Sequence, residues 1–367
     1  MQQHAPTMLA VIEAAGRAGI AVCLWGDPGT GKSSLIRALA AQQGMPCETV
    51  IGSLREPSDF AGLPVVTDTG VRFEAPTWAK RLHQAEDGGY LFLDELSTAT
   101  PTVQKAMLTV VLDRVVGDLR LPATTRVVAA ANDPETAADG WDLEPPMANR
   151  FLHLDYKPTV ADWLDGVVAG FPTPTMAPLG PLNDTTRALA RASITAFLRT
   201  RPELLHDLPA DAHQRGRAWP SRRTWTLLAD VLAQTTDDDT AHLATEGLVG
   251  PGPAHEFLTW RADADLPDPR DLLADPESFD WTTLSADRAW AALTGVVALA
   301  TIPGPNGTPA KGAWQSGWKP LVTAANQGHS SPAAACARTL LLARPAGARP
   351  PATVKKFAPA LQHAGLI

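Results

Sequence analysis

Eight residues, Gly26-Asp27-Pro28-Gly29-Thr30-Gly31-Lys32-Ser33, follow the spacing G-x-x-x-x-G-K-[ST]. They stand behind an apolar run, Ile20–Trp25, and open a helical pattern, Lys32–Gln43. Glycines at those positions let backbone N–H groups curl around phosphate oxygens, and a helix N-terminus adds positive potential. Lys32 is then placed to bridge the β- and γ-phosphates and the Ser33 hydroxyl to hold Mg²⁺, with Ser34 continuing the binding turn. Average composition produces the pattern by accident in about one chain in a hundred of this length. The strand–loop–helix context makes it a phosphate loop.

A second constellation follows in Leu91-Phe92-Leu93-Asp94-Glu95, an apolar strand ending in two acids. Beside a phosphate loop, Asp94 would orient a magnesium shell and Glu95 would polarise an attacking water. Asn132 ends the next strand pattern, where a polar side chain points into the crevice that binds ligands, although Asn-Asp-Pro also starts turns. Arg150, just before Phe151, reads either as an arginine finger for a neighbouring copy or as a surface ion-pair partner. Arg222 and Arg223 open a helix, either reaching back to the phosphates or lying on a solvated N-terminus. No Asn precedes a Lys, so the guanine-reading N-K-x-D element is missing. The nine histidines and three cysteines form no HExxH, HxxxH or zinc-spaced cluster, and no metal beyond Mg²⁺ is expected.

These residues need a scaffold, and the first 155 residues offer one. Apolar runs at Ile20–Trp25, Glu48–Ile51, Tyr90–Leu93, Thr125–Ala130 and Phe151–Asp155 alternate with helical patterns, as in a helix-covered parallel sheet. Leu63–Val66 with Gly70–Phe73, and Val115–Val116 with Leu119–Leu121, read as two inserted hairpins. Beyond residue 158 helices dominate, notably Asn183–Arg199 and Arg222–Ala233 behind a Ser221 cap. Gly250–Asp275 reads as a connector, followed by helices at Ser285–Leu299, Pro320–Gln327, Ala333–Leu342 and Thr353–His363. The expected domains are 1–157, 158–250 and 251–367.

At 367 residues the chain holds two or three domains. Its 45% apolar and 19% charged content is that of a soluble globular protein. A net charge of −8 supplies no global field for nucleic acid. Three unpaired-looking cysteines, no leader pattern and no membrane-length apolar run point to the cytoplasm.

The ordered set Gly26–Ser33, Leu91–Glu95, Asn132, Asn149-Arg150-Phe151 and Ser221-Arg222-Arg223 resembles AAA+ ATPases of the MoxR family over residues 8–250. The hairpin Leu63–Phe73 resembles the helix-2 insert of that clade, which includes magnesium-chelatase-like ATPases. The resemblance implies a P-loop AAA+ core with a five-stranded parallel sheet, an all-helical lid and a small helical C-terminal unit. It assigns Walker A to Gly26–Ser33, Walker B to Asp94 and Glu95, sensor 1 to Asn132 and the finger to Arg150. The family's Ser-Pro-Arg places proline where Arg222 stands here, which leaves Arg223 as sensor 2. The stretch from Asp271 to Ile367 looks like an extension of actinobacterial members, which are often paired with von Willebrand A-like or metallopeptidase-like proteins. The resemblance further implies ATP and Mg²⁺, a ring, commonly a hexamer, and a protein client remodelled by hydrolysis. A nucleotide-gated scaffold is the alternative, and a nucleic-acid translocase a weaker one, since Leu63–Phe73 carries only Arg72 against Asp68.

Overall fold

A computed structural model describes residues 4–132, 141–172, 175–263, 265–358 and 362. The strands in chain order are β1 Ala21–Trp25, β2 Cys47–Ile51, β3 Leu63–Thr67, β4 Gly70–Glu74, β5 Tyr90–Asp94, β6 Val115–Val116, β7 Leu119–Arg120, β8 Arg126–Ala131 and β9 Phe151–Asp155. Five of them form one parallel sheet in the order β2-β5-β8-β1-β9. A parallel sheet is buried on both faces, and β1 and most of β5 and β8 are accordingly unbroken buried apolar residues. The fold is the P-loop α/β core with helical regions beyond it.

Register decides what the sheet can position. Trp25 pairs with Ala131, and Leu93 with Ala129, so the carboxyl ends of β1, β5 and β8 lie side by side. Gly26, Asp94 and Asn132 leave the sheet at that one edge, where ligands bind in open α/β sheets. Phe151 pairs with Ala21 at the opposite end of β1. Phe151 therefore enters the sheet about 13 Å from the Trp25 end, at ~3.3 Å per strand residue, with Arg150 one residue further out.

Both expected hairpins form. β3 pairs with β4 and β6 with β7, each antiparallel. The turn of the second docks on the first, since Asp118 exchanges hydrogen bonds with the Phe73 backbone at 2.8 and 3.0 Å. Leu63, Val66, Val71 and Phe73 of the first hairpin stay exposed.

Helices Asp184–Thr200 and Arg222–Leu232 start where capping residues predict. Asn183 with Thr186, and Ser221 with Thr224, form reciprocal capping boxes. The stretch read as a connector is different: it contains helices Pro251–Asp263 and Pro269–Ala274. Pro251, Pro253 and Pro269 sit in the first turns of these helices, where no intrahelical N–H bond is lost. The C-terminal pattern Thr353–His363 is a 3₁₀ turn over Ala352–Phe357, and 359–361 and 363 lie outside the described residues.

The chain divides into two compact units, Met1–Gly180 with His206–Ala254, and Pro181–Leu205 with His255–Ile367. The expected boundaries at 158 and 251 do not follow this division. Asp184–Thr200 packs along Ala286–Ala300, with Arg199 over the Trp290 ring at 4.2 Å. In the second unit Trp281, Trp314, Trp318 and Phe357 build the core. No described helix is long and apolar enough to cross a membrane.

Candidate functional site

The loop after β1 owes its shape to two left-handed glycines and one close approach. Gly29 and Gly31 have φ of 80° and 96°, which an L side chain resists. A Cβ added at either would meet no atom within 4 Å, so the conformation and not space demands glycine there. At Gly26 the reason is space, because a Cβ would stand 2.3 Å from the Tyr156 carbonyl oxygen.

Lys32 opens the helix Lys32–Gln42 and is 7% exposed. Its ammonium donates to Gly26 O at 2.6 Å, Asp27 O at 3.0 Å and Asn132 Oδ1 at 3.0 Å. Burial pushes its pKa below the ordinary lysine value, while Asp94 and Asp27 favour the charged form. Ser33 Oγ donates to Asp94 Oδ2 at 2.8 Å, joining the loop to the end of β5. A hydroxyl and a carboxylate offer the hard oxygen ligands that magnesium takes, so the pair fits that ion. When bound with nucleotide, Mg²⁺ would neutralise phosphate charge there.

Glu95 follows in a left-handed conformation, φ 57°, uncommon for a non-glycine residue. Its N–H donates to Asp94 Oδ1 at 3.0 Å, and its carboxylate accepts from the Ser53 hydroxyl. Asn132 is fixed from behind, its N–H donating to the buried Ser97 Oγ at 3.0 Å. Lys32, Ser33, Asp94 and Asn132 thus converge, with Glu95 at the rim. Asp27, Pro28, Thr30 and Ser34 sit on the same loop and helix start, Thr30 Oγ1 donating to Asp27 O at 2.8 Å.

Arg150 and Arg223 lie elsewhere. Arg150 donates from Nη1 to Pro146 O, and its Nε is buried without a partner. Burial lowers its pKa, the neighbouring Arg223 cation lowers it further, and Asp113 opposes them. Ser221, the cap just ahead of Arg222 and Arg223, donates to Asn149 Oδ1 at 2.7 Å. The start of the Arg222–Leu232 helix therefore sits at the Arg150 end of β9. Among the described residues no hydrogen bond or ion pair joins Arg223 to the Gly26–Ser33 loop.

A different arginine stands at the loop end. Arg217 lies over the Trp25 ring at 3.8 Å and pairs with Asp155 at 3.1 Å. Trp25 in turn donates from Nε1 to His153 Nδ1 at 2.9 Å, and His153 Nε2 meets Ala148 O at 2.9 Å. His153 is pushed down to about 4 chiefly by burial. Sequence reasoning missed Ser53, Ser97, His153 and Arg217. Only Arg217 carried a signal, as a cation at the head of the extended stretch before the Ser221 cap.

Residues 21–151 match the family model described as the AAA domain, dynein-related subfamily. A solved structure of a candidate ATPase from Cytophaga hutchinsonii is similar at 14% identity, TM-score 0.40, covering 74% of this chain and 87% of that one. No curated protein matches the sequence.

Proposed function

We propose that this chain, an ATPase with an AAA domain over residues 21–151, hydrolyses ATP within a self-assembled ring, commonly a hexamer, to remodel a protein partner. The observation that carries the reading is a division of parts. One end of β1 gathers Lys32, Ser33, Asp94 and Asn132, while Arg150 stands beyond the other end, past the roughly 13 Å rise of the strand. An arginine that cannot reach its own loop serves a neighbour's, and head-to-tail contacts that close make a ring.

Within one site the roles follow from the contacts. Lys32 and the loop amides hold the triphosphate, exchanging the lysine's bond to Asn132 for phosphate oxygens. Asn132 and Glu95 orient a water in line with the γ-phosphate, Glu95 accepting its proton. Ser53 sets where the Glu95 carboxylate rests. An incoming Arg150 stabilises charge on the transferring group.

Two exposed apolar features support assembly and client contact. The helix Val160–Ala169 leaves Val160, Trp163, Leu164 and Val168 in solvent, and the β3–β4 hairpin leaves Leu63, Val66 and Phe73 there. Contiguous apolar surface of this kind marks interaction sites. We assign the hairpin to the client, of von Willebrand A-like or metallopeptidase-like type, and place the protein in the cytoplasm.

The test is molar mass by light scattering with ATP and Mg²⁺, with turnover followed across protein concentration. A roughly six-fold mass with specific activity rising alongside supports the ring. A monomer with concentration-independent turnover refutes it.

A further inference from the structure

Asn132 leaves β8 with the peptide before it held from both sides. The Ala131 carbonyl accepts from the Gly26 N–H at 3.2 Å, and the Asn132 N–H donates to Ser97 Oγ at 3.0 Å. In a parallel sheet such an N–H belongs to a carbonyl of the neighbouring strand. Here β5 no longer offers one: its register with β8 ends at Leu93 and Ala129, and Glu95 turns away at φ 57°. The Ser97 hydroxyl stands in for the missing strand partner. Its residue is fully buried, and among the described residues its Oγ makes no other hydrogen bond.

The same turn carries Glu95. Leu96–Thr98 is a single 3₁₀ turn, closed onto Glu95 O by the Thr98 N–H at 3.2 Å and by Thr98 Oγ1 at 3.0 Å. Buried Gln104, on the helix Pro101–Asp113, donates from Nε2 to Leu96 O at 3.3 Å and to Ala99 O at 3.2 Å. Gly52 lies against the turn as well, since a Cβ there would stand 3.1 Å from the Ala99 Cβ and 3.2 Å from Glu95 O. These contacts make the turn one fixed body and hold Glu95 in its left-handed conformation. Ser97 O also accepts from the Trp141 N–H at 2.7 Å, a backbone bond that any side chain at this position retains. Exchanging the side chain therefore removes the Oγ bond alone.

Resting on the reading of Glu95 and Asn132 as the groups that orient the attacking water, we propose that Ser97 is a positioning residue for hydrolysis. Its hydroxyl locks the Asn132 peptide to the turn that carries Glu95, so the carboxylate and the amide keep one spacing. A hydroxyl suits this task where a strand carbonyl does not, because a longer β5 would abolish the turn that presents Glu95. Without the hydroxyl, Asn132 swings about the end of β8. A misplacement of about an ångström lowers the rate by roughly 10²-fold. Ground-state binding changes little, because the loop amides and Lys32 hold the triphosphate.

The experiment compares Ser97→Ala, Asn132→Ala and the double variant in the full chain, reading ATP affinity by calorimetry, kcat by steady-state and single-turnover kinetics, and the thermal midpoint. Ser97→Ala keeps the wild-type Kd for ATP within about two-fold and loses roughly 10²-fold in kcat, with the loss in the chemical step. The double variant turns over within about two-fold of Asn132→Ala alone. A residue that acts through Asn132 has nothing left to act on once that amide is gone. A serine with a merely structural role lowers the thermal midpoint and leaves kcat of the folded fraction unchanged, which overturns the proposal. Losses that multiply in the double variant overturn it too. Asn132→Ala at the wild-type rate would instead sink the water-orienting reading on which the proposal rests. Should Ser97→Ala not fold, Ser97→Cys keeps a similar size while its sulfur accepts only weakly. Unaltered turnover in that variant refutes the positioning role.

Discussion

Lys32→Ala separates binding from stability in a way the contacts define. In the folded chain the ammonium is buried and its three donors are taken by Gly26 O, Asp27 O and Asn132 Oδ1. Phosphate oxygens must compete with those acceptors, so part of the gross interaction is already spent. A charge-assisted hydrogen bond contributes about 1.5–3 kcal/mol net, and the lysine gives one or two to the phosphates. Allowing for the exchange, ATP binding should weaken by roughly 2–4 kcal/mol, a factor of about 30 to 1,000 in Kd. Stability should change much less. Removing the amine orphans acceptors that water can reach on this partly exposed loop, and it relieves a desolvated cation. The thermal midpoint without nucleotide should move by no more than a few degrees, equivalent to about 1 kcal/mol. Calorimetric titration with ATP and Mg²⁺, beside a melt with and without ATP, reads both quantities. A variant that binds ATP as tightly as wild type refutes the reasoning, because no other described cation touches this loop's carbonyls.

Glu95→Gln should bind ATP normally yet turn it over about 10²- to 10⁴-fold more slowly, and single-turnover kinetics will show whether chemistry is the step lost. Gly26→Ala should cost roughly 1–3 kcal/mol and ATP affinity together, since its Cβ meets the Tyr156 carbonyl at 2.3 Å; a urea melt and a titration check the pair. For His153, burial lowers the folded pKa from 6.5 to about 4, so its contribution is present above pH 6.5 and is lost as pH falls toward 4. Between pH 7 and pH 5 that loss is about 2 kcal/mol. Urea midpoints at the two pH values should show it in wild type and much less of it in His153→Gln.

The sheet and the loop were legible because both rest on local chemistry. A buried parallel strand is a short apolar run, and a phosphate loop is glycines ahead of a Lys and a Ser, so β1, β5 and β8 came within a residue or two of place. Capping worked for the same reason at Asn183 and Ser221. Helix Pro251–Asp263 was not legible, because prolines that break a helix in its middle are harmless in its first turn. Partner choice at long range was hidden as well. Nothing local says that Asp184–Thr200 packs on a helix about a hundred residues further along, since apolar faces do not name their partners. Arg223 shows the limit most clearly. Its motif offered a place at its own phosphates or on a solvated helix start, and the contact that fixes the start of its helix, Ser221 to Asn149, joins two segments about seventy residues apart that no local pattern links. Ser53 and Ser97 carried no signal, being single hydroxyls whose use depends wholly on what the fold brings beside them.

The most direct measurement is the crystal structure of the chain with a non-hydrolysable ATP analogue and Mg²⁺. Lys32 Nζ should be turned from Asn132 onto phosphate oxygens, with the metal on Ser33 Oγ, Asp94 beside it, and Glu95 free of Ser53. A triphosphate bound away from the Gly26–Ser33 loop, or a Lys32 still bonded to Asn132 with the analogue in place, would contradict it.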